Sequence, residues 1–235
     1  MKYMGSKNRV AKHILPIILQ GRGKNEVYVE PFVGGANMID KVDGVRIGAD
    51  RNEYLCALLD ALSKGYHPPK VSKEEYVSVK ENPENYEMKY VGWVGIGCSY
   101  SGKWFGGYAG ETKTKGGIRD YQQEAINNVL KQAPNIEDVK FVGCSYDELE
   151  IPSNSLIYCD PPYAKTTSYK DNFNHDKFWQ WVRDKGKEGH RVFVSEYSAP
   201  DDFECIWEQE FSSSLSANGK IGGSKKSIER LFVQI

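Results

Sequence analysis

Short apolar runs alternate with stretches of helical period along this chain, and that alternation limits its folds more than any other feature. Residues 26–30, 45–49, 139–144, 155–159 and 191–196 read as strands. Between them lie segments whose apolar residues recur about one turn apart. Val10, Ile14, Ile17 and Ile18 follow a Ser6 cap, with Pro16 expected to kink or shorten the helix. Leu55, Ala57, Leu58, Leu59 and Leu62 lead up to Gly65, a helix around residues 121–131 comes next, and a segment capped by Asn174 buries Phe178, Trp181 and Val182. Such alternation predicts a mostly parallel α/β sheet with helices on both faces, whose ligands gather at the carboxyl ends of the strands. At the end, residues 203–211 and 228–235 read as a hairpin with a long polar loop.

With 235 residues, 40% of them hydrophobic, the chain can bury one core and carry a modest insertion. No apolar stretch reaches membrane length and the first residues lack a signal-type apolar run, which places the protein in a cytoplasm. Its five cysteines and four histidines are scattered, predicting neither a disulfide framework nor a metal site. The net charge of −1 excludes a broadly basic coat for nucleic acid. Local patches remain: between residues 101 and 119, Lys103, Lys113, Lys115 and Arg119 face one acid, Glu111.

Four strand ends carry chemistry. The run before Asp160-Pro161-Pro162-Tyr163 delivers a carboxylate, two rigid residues and an aromatic ring together. The prolines hold the Asp160 and Pro161 carbonyls extended, which makes an acceptor-rich cradle beside a ring. It suits a planar group with an exocyclic amine, and adenine fits; an ordinary strand-to-loop exit is the competing reading. Pro31-Phe32-Val33-Gly34-Gly35 follows the first strand, and glycines there let a ligand approach a helix start closely. Asp50 ends the second strand, where an acid binds ribose hydroxyls or caps the next helix. Ser145-Tyr146-Asp147 ends the third. Their coincidence at one edge of the sheet favours a site.

From residue 65 to about 118 the pattern changes. Glycine and aromatic residues interleave from Val91 to Tyr108 with flanking lysines, a composition that stacks bases and holds phosphates or packs on itself. We read it as an insertion that meets the substrate, and residues 164–174, polar throughout, as a loop that closes over it.

Taken together, Tyr3-Met4-Gly5-Ser6-Lys7, Glu30 through Gly35, Asp50 and Asp160 through Tyr163 resemble the Dam-type, D12-class DNA adenine-N6 methyltransferases. The resemblance spans nearly the whole chain and keeps the motif order. It implies a Rossmann-like class I methyltransferase sheet formed by residues 1–64 and 119–235, a target-recognition insertion at 65–118, and S-adenosylmethionine as cofactor. Tyr3, Lys7, Glu30, Phe32, Gly34, Asp50, Tyr146 and Asp160 then match positions that border the cofactor. Asp160, Pro161 and Tyr163 take the catalytic roles on a flipped base. The partner is double-stranded DNA, with Lys103, Trp104, Lys113, Lys115, Arg119 and Tyr169 as candidate contacts and no metal. One departure stands out: Ser145 precedes Tyr146 where the family has an acid, and the acid is displaced to Asp147. Methylation of cytosine N4, RNA adenine or a protein amide uses a similar cradle. A nicotinamide oxidoreductase leaves Asp160 to Tyr163 idle, a non-catalytic nucleic-acid module has no need of the cofactor-type strand ends, and cytosine-C5 chemistry lacks its Pro-Cys nucleophile.

Overall fold

The computed structural model describes residues 1–114, 116–163, 173–213 and 225–235. Ser6 accepts from the Asn8 amide and starts a single 3-10 turn, after which α1 (Ala11–Ile18) runs for eight residues with Pro16 inside it. There follow β1 (Tyr28–Glu30), β2 (Arg46–Asp50) and α2 (Glu53–Ser63). α3 (Lys73–Glu81) and α4 (Met88–Gly92) come next, the latter running on into a π-helical turn at Trp93–Gly97. A hairpin of β3 (Glu111–Thr114) and β4 (Gly117–Asp120) precedes α5 (Tyr121–Gln132). The chain closes with β5 (Val139–Gly143), β6 (Leu156–Cys159), α6 (His175–Lys187), β7 (Arg191–Ser195), β8 (Phe203–Ser213) and β9 (Lys225–Gln234).

Seven strands form one sheet in the order β5-β2-β1-β6-β7-β9-β8. The first five are parallel, and β9 lies antiparallel between β7 and β8. The period-2 alternation of a strand puts successive side chains on opposite faces. Accordingly Tyr28, Leu156 and Tyr158 join a core with α1, α2 and α5, while Val29, Ile157 and Cys159 join a second core under α6. The central strands are therefore buried on both sides, which explains their continuous apolar reading.

Three local expectations are corrected. The Gly34-Gly35 turn does not open a helix: Gly34 and Ala36 take left-handed φ of 46° and 55°, and only a 3-10 turn at Ile39–Lys41 follows. Asn52, not Asp50, caps α2, accepting from the Leu55 amide at 3.2 Å. On α6 the fully packed indole is Trp179 rather than Trp181, which is half-buried.

Much of the stretch between α2 and β3 packs into the main core. Val71, Tyr76, Val79, Val91, Trp93, Val94, Ile96 and Cys98 share the cluster of α1 and α2. The buried Gln122 of α5 fastens Val71 by accepting from its amide at 2.7 Å and donating to its carbonyl at 2.8 Å. The interleaved glycines let rings approach: a Cβ on Gly95 would lie 2.4 Å from Trp104, and one on Gly97 2.2 Å from Trp93.

Candidate active site

Parallel pairing of β1, β2, β5 and β6 lines up their carboxyl ends, so Glu30, Asp50, Tyr146 and Asp160 emerge from one edge of the sheet. Lys7 arrives at the same edge from the N-terminal turn. Its ammonium lies 3.0 Å from Asp160 Oδ1 and 3.5 Å from Glu229 Oε2, with a side chain only 9% exposed. The same ammonium sits 4.4 Å from the centroid of the Tyr163 ring. Tyr163 donates its hydroxyl to Glu229 Oε2 at 3.0 Å and meets Tyr197 edge to face at 4.6 Å.

Charge at this edge is costly, because burial disfavours the ionised form of each carboxyl. Burial pushes Asp160 above the usual carboxylate range, and Lys7 offsets this only in part. Burial alone would depress the Lys7 ammonium, but Asp160 and Glu229 outweigh it and hold Lys7 above its ordinary value. Burial raises the Tyr163 phenol well above its usual value, with Asp160 and Glu229 adding to the effect, so it remains a hydrogen-bond donor. Glu30 is 2% exposed and its carboxyl is driven well up by burial. Among the described residues its Oε1 has no hydrogen bond of full geometry, although the neighbouring Tyr28 hydroxyl favours the charged form. Beneath them Tyr158 and Ser195 share a 2.8 Å hydrogen bond that ties β6 to β7.

Next to this centre, Asp50 accepts from the Gly34 amide at 3.1 Å and from the Asn52 amide at 2.9 Å. Both bonds favour its charged form, yet burial is the larger effect and its carboxyl is raised. Tyr3 lies against the glycine turn: a Cβ on Gly34 would fall 2.8 Å from its ring and one on Gly35 2.6 Å from its Cβ. The glycines thus make room for Tyr3. Phe32 stacks on Tyr146 at 5.3 Å, and Phe173, Phe178 and Trp181 close an aromatic cluster around them. The displaced acid Asp147 turns aside to pair with Lys177 and to accept from Ser145.

The donor set fits a cofactor that carries an ammonium and a ribose. Among the described residues one buried Glu30 oxygen has no hydrogen bond of full geometry, with the Tyr28 hydroxyl its neighbour, and each Asp50 oxygen that takes a backbone amide keeps a lone pair for a hydroxyl. Among the described residues no group of three or more potential metal-ligating side chains occurs.

Among the candidate DNA contacts, Lys103 and Trp104 follow Gly102, whose carbonyl accepts from the Met4 amide at 3.2 Å. Lys103 and Lys113 are exposed, and Trp104 is 38% exposed while stacked on Tyr54 at 5.9 Å. Arg119 forms a two-pronged pair with Glu124 at 2.7 and 2.9 Å and covers the Tyr121 ring. Lys115 and Tyr169 lie outside the described residues. Glu229 and Tyr197 were not singled out in the sequence; only the pairing of β9 with β7 and β8 brings Glu229 to the centre.

A parallel α/β sheet with an antiparallel strand inserted next to its last edge, and an acid-Pro-Pro-Tyr exit beside a glycine turn, defines a Rossmann-like class I methyltransferase. The model of the D12 class N6 adenine-specific DNA methyltransferases matches residues 3–202, and the chain belongs to that family. A curated relative, the type II methyltransferase M.FokI of Planomicrobium okeanokoites, is 26% identical over 209 residues, which are 78% of this chain and 32% of that protein. The chain thus spans about a third of the length of the curated relative it matches. A solved structure of SMU.472 complexed with SAH covers 97% of this chain and 52% of its own, at 10% identity and a TM-score of 0.36.

Proposed function

We propose that this chain transfers a methyl group from S-adenosylmethionine to N6 of an adenine flipped out of double-stranded DNA. The observation that carries the reading is the half-buried Asp160 carboxylate at the tip of β6, held 3.0 Å from Lys7 and beside the Tyr163 ring, in a chain of this family. Extruding the base costs a few kcal/mol, and stacking on an aromatic ring returns about 1–3 kcal/mol.

Adenine N6 is a poor nucleophile because its lone pair is delocalised into the ring. Asp160 and the Pro161 carbonyl accept the two N6 hydrogens and favour a pyramidal nitrogen with its lone pair free. The cofactor supplies an electrophilic sulfonium methyl. Asp160 would stabilise the positive charge that develops on N6 during transfer, before the proton passes to solvent. In the ion pair Lys7 occupies Asp160 Oδ1, so an incoming amine that takes that oxygen competes with the ammonium.

In this reading Glu30 takes the cofactor's ammonium and Asp50 its ribose, while Tyr3, Phe32, Gly34 and Tyr146 shape the walls around them. Residues 65–118 form the target-recognition region, with Lys103, Lys113 and Trp104 presented to DNA and Arg119 available once it exchanges Glu124 for phosphate. Lys115 and Tyr169 are proposed contacts on the same grounds of charge and stacking.

The test is a split between binding and transfer. Asp160→Ala is expected to bind S-adenosylmethionine and to melt within a few degrees of the wild type, while methyl transfer to DNA is abolished. Retained transfer in that variant refutes the role of Asp160.

A further inference from the structure

The four groups at the centre include one that the sequence motifs do not supply. Glu229 sits on β9, beyond residue 202 where the family match ends. One of its oxygens serves two neighbours: Oε2 accepts the Tyr163 hydroxyl at 3.0 Å and lies 3.5 Å from the Lys7 ammonium. The next residue works on the other flank, since Arg230 donates to the Tyr197 carbonyl and pairs with Glu208 at 3.1 Å. Tyr197 in turn packs its ring on Tyr163. The antiparallel strand therefore fastens both tyrosines beside Asp160.

We propose that Glu229 is a positioning residue: it anchors the Tyr163 ring and offers Lys7 a second counter-ion, so that Asp160 can release Lys7 to accept a substrate amine. The proposal rests on the methyltransferase reading of the site. A buried ammonium cannot leave its carboxylate for an apolar surround without a large desolvation cost. With Glu229 in reach, Lys7 need only pivot between two oxygens that it already contacts. A neutral amine can then take its place on Asp160 while the ammonium stays paired. Throughout the pivot the phenol bond to Oε2 keeps the ring in place.

Glu229 also acts on Asp160 through space. Among the described residues, the titratable groups that bear on the Asp160 carboxyl are Lys7 from the N-terminal turn, Glu30 at the end of β1, Tyr158 and Cys159 on β6, Tyr163, Tyr197 after β7, and Glu229 on β9. Of these, Lys7 and the Tyr163 hydroxyl favour its charged form and the negative Glu229 opposes it. Removing the Glu229 charge while keeping its shape must therefore make Asp160 ionise at lower pH and hold Lys7 more tightly.

The experiment uses the full chain with Glu229→Gln, in which the amide oxygen still accepts the Tyr163 hydroxyl. Single-turnover transfer to DNA is expected to slow about tenfold or more, with affinity for S-adenosylmethionine within about threefold of the wild type. The acid limb of the rate and the Asp160 carboxyl midpoint, followed by carbon-13 NMR without substrate, are both expected at lower pH than in the wild type. Unchanged transfer, or an Asp160 midpoint that does not move, overturns the proposal. If the wild type methylates no DNA yet the midpoint falls in Glu229→Gln, the positioning role stands and the DNA substrate falls. Should Glu229→Gln fail to fold, Tyr163→Phe removes the 3.0 Å phenol bond to Glu229 together with the phenol's bond to the Asp160 carboxyl; slower transfer supports the anchoring role and an unaltered rate refutes it.

Discussion

At the scale of residues, the site is a set of carboxyls kept where water would serve them better. Glu30 shows this most clearly, since burial raises it well above its reference value of 4.5 and, among the described residues, one of its oxygens has no hydrogen bond of full geometry. A carboxyl with a folded value above its unfolded one lends stability that is complete below the unfolded value and is lost as pH rises through the folded one. As pH rises above the unfolded value of 4.5, the wild type should therefore lose thermal stability more steeply than Glu30→Gln, which carries no titrating group there. Parallel slopes for the two proteins over that range would show that Glu30 is not strained by its charge. The motif residues were legible because their chemistry is compressed into a few adjacent letters. Glycine was harder to read: Gly34 and Gly35 signalled a close approach, and what approaches is the Tyr3 ring of the chain itself.

At the scale of elements, the strands were legible because each is apolar on both sides of a covered sheet, and the helices because Phe178 and Val182, or Leu55, Leu58, Leu59 and Leu62, fall on one face. Trp179 and Trp181 flank the Phe178-Val182 stripe of the helix on opposite sides, about equally far from it, so periodicity does not choose between them. The glycine-aromatic stretch had no usable period, and it folds as a short helix continued by a π-turn because glycine allows contacts that a methyl group would block. Gly92 decides the case. Its φ of −57° is ordinary helix, so propensity alone makes Gly92→Ala stabilising by about 1 kcal/mol. A Cβ there would lie 2.1 Å from the Tyr54 carbonyl oxygen, where backbone cannot yield cheaply. Gly92→Ala is therefore expected to destabilise by about 2–3 kcal/mol, read as a lower denaturant midpoint with an unchanged slope. A raised midpoint would mean that α4 does not press on α2 as described.

At the scale of the whole molecule, the sheet order explains how residues as distant in sequence as Lys7, Asp160 and Glu229 form one centre. The parallel strands line up their carboxyl ends, and the antiparallel β9 returns a side chain to the same edge from the far end of the chain. The hairpin of residues 203–211 and 228–235 was legible, but the arrival of Glu229 at this edge was not, because Ile228-Glu229-Arg230 reads as an ordinary polar-apolar strand until its neighbours are known. The overall charge of −1 is consistent with DNA contact confined to patches such as exposed Lys103 and Lys113, so binding should weaken with salt by fewer ions than for a broadly basic protein. No helix among the described residues is long and apolar enough to cross a membrane. The central claim is that the cradle at Asp160 methylates the exocyclic amine of adenine. Base-resolved mapping of labelled methyl groups on unmethylated double-stranded DNA, after incubation with the purified chain and S-adenosylmethionine, tests it most directly. The expected result is label on adenine N6 at one recurring short sequence; label on cytosine N4, or none on DNA while the cofactor still binds, would contradict it.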